Sequence, residues 1–337
     1  MGLVGDGIDD GWAVFGATAG SAGMSAAQSA KERWLPLAIL VALGAVWGLS
    51  LPLTKIAVST GHAPLGLVVW ELVLAIFVLQ LINLVRRRPF RFRAEHLKLF
   101  IFISVFGNLI PTTMWFVTSV HLPSGILAIV LSLVPMFALP VALFLRLEHF
   151  RWLRLVGVLC GAVAIVLLIG PGTSLPDPSK IWYVLLALIG PVCYGIEGNG
   201  VAKMGLKGLD SVQVLLGASI FSLIVAVPMT LVSGQWVDIF VPWGQAEYAL
   251  IVTAVMTTIA YAGYVWLVGR AGSVFAAQSS YLVTGFGVMW SILILAETYS
   301  GWVWMSLILM LAGLFLVQPR RAWPLVSTGN ASDNNAD

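Results

Sequence analysis

The sequence predicts an all-α integral membrane protein in which ten transmembrane helices form two inverted five-helix repeats. The first reason is composition: 59% of the 337 residues are hydrophobic and 10% are charged. In a soluble domain about a quarter of the residues are charged, so this balance is typical of a protein embedded in lipid. The second reason is internal repetition, because residues 106–152 recur in degenerate form 149 positions later, at 255–301.

The two copies of this repeat align aromatic, small and acidic residues. Five apolar segments separate equivalent positions, and an odd number of crossings turns the second copy upside down in the membrane. Inverted repeats of this kind are typical of alternating-access carriers, so the duplication favours a transporter. The aligned residues are Trp115 with Tyr264, Ser124 with Ser273, Ala128 with Ala277, Leu133-Val134 with Leu282-Val283, and Glu148 with Glu297.

A transmembrane helix needs about 20 mostly apolar residues. Ten segments meet this requirement, and short turns carrying Gly, Pro, Ser or Asp separate them. We predict the first repeat at 34–170 and the second at 180–318, with a disordered cytoplasmic lead at 1–33 and tail at 319–337. The predicted helices are 34–58, 64–85, 97–119, 122–145, 152–170, 180–203, 210–232, 246–268, 273–296 and 300–318.

The basic residues predict the orientation, because Lys and Arg concentrate in short cytoplasmic loops. If both termini are cytoplasmic, sixteen of the eighteen Lys and Arg residues lie inside. The exceptions are Lys180, which lies outside, and Lys55, which lies within the first helix. We interpret the basic run at 86–93 as a topogenic, lipid-headgroup segment rather than a nucleic-acid site. The sequence therefore predicts a multi-pass protein of the cell (inner) membrane.

Helices 1 and 2 each carry a charged residue within an apolar span, which costs about 2.5–3.5 kcal/mol at a helix centre. Lys55 lies one turn from the outer end of helix 1, and Glu71 lies about two turns from the same face in helix 2. Because a helix rises about 1.5 Å per residue, their depths differ by about one turn. This predicts a Lys55–Glu71 ion pair. The alternative is that Lys55 extends to the interface alone and Glu71 is protonated.

Helix 6 carries the second unusual carboxylate, Glu197, in a stretch with three glycines between Gly195 and Gly200. Polar groups on weakened helices near a pseudo-twofold axis indicate a carrier's binding site. Tyr194 and Asn199 flank this glutamate and are candidates for the same site. The alternative is tight packing of small residues, with Glu197 extending towards the cytoplasmic end.

The remaining cavity candidates combine aromatic faces with neutral hydrogen-bonding groups. Such a mixture suits a ligand that has a flat or apolar part and a polar part. Packing within the bundle is the alternative for each of them. Together with Lys55, Glu71, Tyr194, Glu197 and Asn199, the candidate substrate-binding residues are Trp47, Asn108, Thr112, Trp115, Tyr261, Tyr264, Gln278 and Tyr281.

Mid-helix prolines predict hinges, because proline removes a backbone donor and kinks a helix. Pro111, Pro135, Pro191 and Pro228 lie at such positions. Pro135 in helix 4 is the best candidate for a gate. Its partner in helix 9 is Thr284-Gly285, which is also a weak point and completes the candidate gate.

Several of these motifs together resemble the EamA-type transporters of the drug/metabolite transporter superfamily. The resemblance covers about residues 34–318 and implies ten spans arranged as two inverted five-helix halves. The residues that carry it are Trp47-Gly48, Pro52 and Lys55 in helix 1; Leu131, Pro135 and Glu148 in helix 4; and Tyr264-Val265-Trp266, Gly272 and Glu297 around helices 8 and 9.

The chain departs from the family pattern at three places. Glu71 stands where relatives often have an arginine, and Thr284-Gly285 replaces the proline expected in helix 9. Trp47 stands where the small multidrug relatives have a membrane glutamate, eight residues before the lysine. Their proton-for-cation mechanism therefore does not transfer directly to this chain.

These observations favour a carrier that exports small amphipathic metabolites, with amino acids or related compounds as the expected substrates. The alternatives are an exchanger of other metabolites or drugs, a passive channel and, from another class, a membrane-embedded enzyme. The four histidines are scattered, and no catalytic or metal-binding motif is evident. We predict no enzyme activity, no cofactor and no metal. The expected partners are the bilayer, a small-molecule substrate and protons as coupling ion, in a monomer or weak homodimer.

Overall fold

The structure, a computed structural model, describes residues 26–88, 90, 92–169, 177–238, 242–271 and 278–317. Within these residues all regular secondary structure is helical. It forms ten helical stretches, which we label α1 to α10. They are α1 Ala26–Ala57, α2 Pro64–Val85, α3 Leu97–His121, α4 Ser124–Phe144, α5 Trp152–Ile169, α6 Ile181–Met204, α7 Ser211–Val232, α8 Gln245–Ala271, α9 Ser279–Leu295 and α10 Gly301–Val317.

The ten stretches correspond one to one with the ten predicted helices. Eight are long and apolar enough to cross a membrane, and α9 and α10 are shorter apolar helices. α1 begins at Ala26 rather than at residue 34, so the end of the predicted lead is helical. Residues 1–25, the predicted tail at 319–337, and positions 272–277, which include Gly272, Ser273 and Ala277, lie outside the described residues.

Three of the helices are interrupted, each just before a proline. α3 contains a π-helical turn at Ser104–Leu109 that ends before Pro111. α4 is broken between Leu131 and Val134, immediately before Pro135. α6 is broken at Leu188, shortly before Pro191. Proline has no N–H group to continue the ladder, so each interruption has a local cause. Pro228, by contrast, lies inside the unbroken α7.

Helix packing follows the twofold relation that the repeat predicts. α1 packs against α8 and α9, and its counterpart α6 packs against α3 and α4. α2 packs against α7, and α5 packs against α10. Replacing each helix by the one five places along the chain reproduces this set of neighbours. The observed packing is therefore that of two related five-helix units.

Close crossings occur between the corresponding helix pairs α1–α9 and α6–α4. A Cβ atom added to Gly48 of α1 would lie 2.8 Å from the Gly287 nitrogen of α9. A Cβ atom added to Gly195 of α6 would lie 2.8 Å from the Ala138 nitrogen of α4. Gly287 and Ala138 are equivalent under the 149-residue offset. Only glycine permits either crossing, because both neighbours are backbone atoms.

α5 and α10 pack mainly against each other at the edge of the bundle. Gly157 and Gly313 meet closely, since a Cβ on either would lie within 2.7 Å of the carbonyl oxygen of the other. The Ser306 hydroxyl donates to the Ala164 carbonyl at 2.8 Å. Under the repeat offset Gly157 maps onto Ser306 and Ala164 onto Gly313. The Gly157–Gly313 contact and the Ala164–Ser306 contact are therefore equivalent in the two repeats. Because α5 and α10 lie at the edge, the other eight helices enclose the centre of the bundle.

Candidate functional site

Lys55 lies in the last turn of α1 and binds the end of α3. Its ammonium donates to the carbonyl oxygens of Ser119 at 2.7 Å, Val120 at 3.2 Å and Leu122 at 3.0 Å. A lysine has three N–H donors, and the final carbonyls of a helix lack partners within the helix. The partial negative charge at a helix C-terminus adds to the attraction.

The predicted ion pair between Lys55 and Glu71 is wrong. In the described part of the chain neither an ion pair nor a hydrogen bond joins the two side chains. The physical reason is that three carbonyls of the α3 terminus satisfy the ammonium at the end of the bundle. Glu71 lies deeper, on the face of α2 turned away from exposed Phe77 and Leu84.

Glu197 of α6 lies against the π-helical turn of α3. A Cβ atom on Gly107 would lie 2.7 Å from the carboxyl carbon and from Oε1 of Glu197. Glycine at position 107 therefore provides the space that the carboxylate occupies. π-helical turns occur frequently at functional sites, because they change the direction of the side chains on the helix.

Two tyrosines lie near the carboxylates. Tyr194 of α6 lies near both Glu71 and Glu197, and Tyr261 of α8 lies near Glu197. The structure thus brings together side chains from α2, α6 and α8 beside the π-helical turn of α3. We call Glu71, Gly107, Tyr194, Glu197 and Tyr261 the central polar region.

The asparagines that the sequence singled out lie next to this region and hold helices together. The Asn108 amide donates to the Ser219 hydroxyl of α7 at 3.3 Å. The Asn199 amide donates to the Ala138 carbonyl of α4 at 2.9 Å and to the Gly195 carbonyl at 2.8 Å. Both amides use N–H donors in these contacts, so their side-chain oxygens remain potential acceptors for a ligand.

The other predicted residues divide between aromatic contacts and the surface. Trp47 and Tyr264 form a tilted ring pair with centroids 5.7 Å apart, which joins α1 to α8. Trp115 and Tyr281 pack against the largest buried apolar cluster. Thr112 is half-buried in α3, whereas Gln278 is exposed at the start of α9. The structure therefore brings Trp47 and Tyr264 together and leaves Gln278 apart.

The two candidate gate positions differ in backbone structure. The helix break before Pro135 divides α4, and the Ser132 hydroxyl donates to the Ile129 carbonyl at that break. Its repeat partner, Thr284-Gly285, lies inside the unbroken α9. There the Thr284 hydroxyl donates to the Ser280 carbonyl at 2.9 Å, and Gly285 is exposed.

Sequence reasoning did not assign a role to Glu297, which binds the start of α4. Its carboxylate accepts from the Ser124 N–H at 2.8 Å, the Ser124 hydroxyl at 3.0 Å and the Gly125 N–H at 3.2 Å. The Tyr299 hydroxyl also donates to it. Burial and this hydrogen bond raise the pKa of Tyr299, which keeps the hydroxyl a donor. The alignment of Glu297 with Glu148 is the signal that could have indicated a role.

A cavity of about 230 Å³ lies at this end of the bundle, beside Lys55 and Glu297. Hydrogen bonds from Ser179 lower the pKa of Asp177 at its rim. Within the described residues no three His, Cys, Asp or Glu side chains are grouped as a metal site would require. The cavity is lined by Lys55, His121, Leu122, Pro123, Asp177, Lys180 and Glu297.

Comparison with known proteins agrees with this architecture. A crystal structure described only as that of a protein shares the fold, with a TM-score of 0.57 and 17% identity over 85% of this chain and 97% of that one. Among curated proteins, no sequence matches this chain. A sequence model of the EamA-like transporter family matches residues 33–170 and 181–318, which coincide with the two repeats. The chain therefore belongs to the EamA-like transporter family, within the drug/metabolite transporter superfamily.

Proposed function

We propose that this protein is a carrier that exports small amphipathic metabolites, amino acids or related compounds, by alternating access between its two repeats. Family membership establishes a membrane transporter of small molecules. The observation that carries the finer proposal is the pseudo-twofold packing, in which α1 with α8 and α9 matches α6 with α3 and α4. Such a bundle can exchange the roles of its two ends around a fixed site.

The central polar region supports the proposed substrate class. Glu71 and Glu197 have neither an ion-pair partner nor a hydrogen bond in the described part of the chain. Carboxylates in a transmembrane bundle are costly and mark pathways for substrates or ions. A protonated amine would provide the missing positive charge, and the rings of Tyr194 and Tyr261 would contact its apolar part. Amine-bearing metabolites such as amino acids fit this combination.

Protons are the proposed coupling ion, because the same carboxylates can release a substrate amine when they take up a proton. Exchange of the substrate's ammonium group for one proton would keep the carboxylate paired with one positive charge through the cycle. Glu197 is the leading candidate, since the π-helical turn of α3 and Gly107 position its carboxylate. The carrier is proposed to lie in the inner membrane with both termini cytoplasmic.

Counterflow in proteoliposomes tests the proposal. Vesicles loaded with an unlabelled amino acid should accumulate the labelled compound transiently, and an imposed pH gradient should accelerate uptake. Glu197→Gln should abolish the acceleration, because an amide does not titrate. Glu95→Gln, at an exposed position outside the bundle, is the matched control. Flux without counterflow would identify a channel, and absence of flux for a panel of amine-bearing compounds would contradict the proposed substrate class.

A further inference from the structure

Two charged side chains, one in α1 and one just after α9, hold the connection between α3 and α4. Lys55 of α1 donates to carbonyls at the end of α3, and Glu297, after α9, accepts from N–H groups at the start of α4. The connection itself is short, because α3 ends at His121 and α4 begins at Ser124. We call Lys55, Glu297 and Tyr299, together with residues 119–125, the α3–α4 clamp.

The charges of the clamp match the helix ends that they contact. A helix C-terminus carries partial negative charge and an N-terminus partial positive charge, so a cation suits the end of α3 and an anion the start of α4. α4 has no side-chain cap of its own, because Pro123 occupies the N-cap position. Glu297, in the segment that follows α9, therefore supplies the cap. The Ser124 hydroxyl extends the contact to the Ser291 hydroxyl of α9, at 2.7 Å.

The clamp joins elements that pack against each other across the two repeats. α1 and residues 119–125 belong to the first repeat, whereas α9 and Glu297 belong to the second. The apolar cluster beneath the clamp includes Leu51 and Leu122, which are buried. Polar contacts at the surface and apolar contacts below it therefore close this end of the bundle.

The equivalent glutamate at the other end of the bundle has a different partner. Glu148, which aligns with Glu297, accepts from Arg154 at 3.0 Å, and 43% of its side chain is exposed. Glu297 instead binds two backbone N–H groups of another helix. Glu148 thus has a side-chain cation as its partner where Glu297 has backbone N–H groups, and the counterparts of Ser124 and Gly125, at 273–274, lie outside the described residues.

We infer that Lys55 and Glu297 form a latch that holds this end of the bundle closed, and that the latch opens and closes once in each transport cycle. The inference rests on the proposed function, because alternating access requires each end to open in turn. The orientation predicted from the basic residues makes this the external end. Lys55 and Glu297 are therefore positioning residues of the transport cycle and need not contact the substrate.

A reversible cross-link tests whether the latch must open. Ser124→Cys with Ser291→Cys, in a protein with Cys160→Ser and Cys193→Ala, places two thiols where hydroxyl oxygens lie 2.7 Å apart. Oxidation should reduce amino acid counterflow at least tenfold, and dithiothreitol should restore it. The Ser124→Cys variant alone, treated with the same oxidant, is the control. Undiminished counterflow by fully cross-linked protein would overturn the inference.

Thiol accessibility tests the latch without measuring transport. Leu51→Cys, one turn below Lys55, should react slowly with an impermeant maleimide, since Leu51 is buried. Adding Glu297→Gln should raise the reaction rate at least tenfold, and adding Glu148→Gln, the same substitution at the repeat-equivalent position, should not. Equal rates for the Glu297→Gln and Glu148→Gln proteins, both monodisperse, would contradict the latch. If no substrate is transported by any variant, the proposed function fails, but this accessibility difference still decides the question of the latch.

Discussion

At the residue scale, the contribution of Lys55 to the stability of the protein depends on the carbonyl oxygens that accept its hydrogen bonds. We expect Lys55→Met to lower the free energy of unfolding by about 1–3 kcal/mol, because buried carbonyls at the end of α3 lose their donor. Glu71→Gln should act independently, since the two side chains do not meet. Denaturation of the single and double variants in detergent should give a coupling energy below about 0.5 kcal/mol.

A double variant more stable than either single variant would contradict this independence. That result is the behaviour of a buried ion pair, in which removal of one partner costs about 3–5 kcal/mol and replacement of both can be nearly neutral. Lys55→Gln is a useful intermediate, because its amide can still donate to one or two of the carbonyls. Its stability should lie between those of the wild-type protein and Lys55→Met.

Gly107 controls the position of the Glu197 carboxylate. In Gly107→Ala the new methyl group would lie 2.7 Å from that carboxylate, which must move away. The end of a flexible side chain moves at little cost in stability, so we expect a small change in melting temperature but a loss of most counterflow activity. Gly190→Ala in α6 is the matched control, because its added methyl group meets no atom within 4 Å. Equal activity of the two variants would exclude Glu197 from the transport site.

The sequence allowed the polar residues within the membrane to be identified, but not all of their partners. The prediction that Glu71, Tyr194, Glu197 and Tyr261 share a site stays a prediction, although Tyr194 lies near both carboxylates and Tyr261 lies near Glu197. The partners of Lys55 are backbone carbonyls, which every residue carries and which therefore leave no signal in the sequence. The depth of Lys55 in its helix was predictable, but the helix end facing it was not.

At the scale of the elements, the glycine crossings set how closely the helices approach. We expect Gly48→Ala and Gly195→Ala each to destabilise the protein by about 1–3 kcal/mol, because each Cβ would meet backbone atoms that cannot rotate away. Since both crossings join corresponding helices of the two repeats, α1 with α9 and α6 with α4, the melting temperatures of the two variants in detergent should fall by similar amounts. Gly198→Ala, where an added Cβ meets no atom within 4 Å, should not lower the melting temperature. A clear loss of stability in only one of the two crossing variants would contradict the equivalence of the crossings.

Helix breaks were only partly predictable from the sequence. Proline cannot donate a backbone hydrogen bond, which predicts weak points at Pro111, Pro135, Pro191 and Pro228, but α7 is unbroken at Pro228. The π-helical turn before Pro111 adds one residue to a turn, and which turn accommodates it depends on packing against Glu197 and α7. At Thr284-Gly285 no donor is missing, and the Thr284 hydroxyl bonds within α9, which remains continuous.

At the scale of the whole molecule, the repeat determines more of the structure than any local pattern. An offset of 149 residues maps the α5–α10 contacts onto one another and relates the α1–α9 crossing to the α6–α4 crossing. The number of helices and their pairing were therefore predictable from the duplication and the apolar lengths. The contacts of Glu297 were not, because two of its partners are backbone N–H groups, which leave no signal in the sequence.

The orientation of the whole molecule determines what the latch faces. We expect Ser179→Cys, on the exposed turn before α6, to react with an impermeant maleimide in intact cells. Glu95→Cys, on the exposed turn before α3, should react only after the membrane is permeabilised. The physical reason is the concentration of Lys and Arg on the side that carries Glu95.

Both variants would use the Cys160→Ser, Cys193→Ala background, so that only the introduced thiol reacts with the maleimide. The opposite labelling pattern would place the Lys55–Glu297 latch at the cytoplasmic end, and the closed end would then block entry of an exported substrate rather than its release.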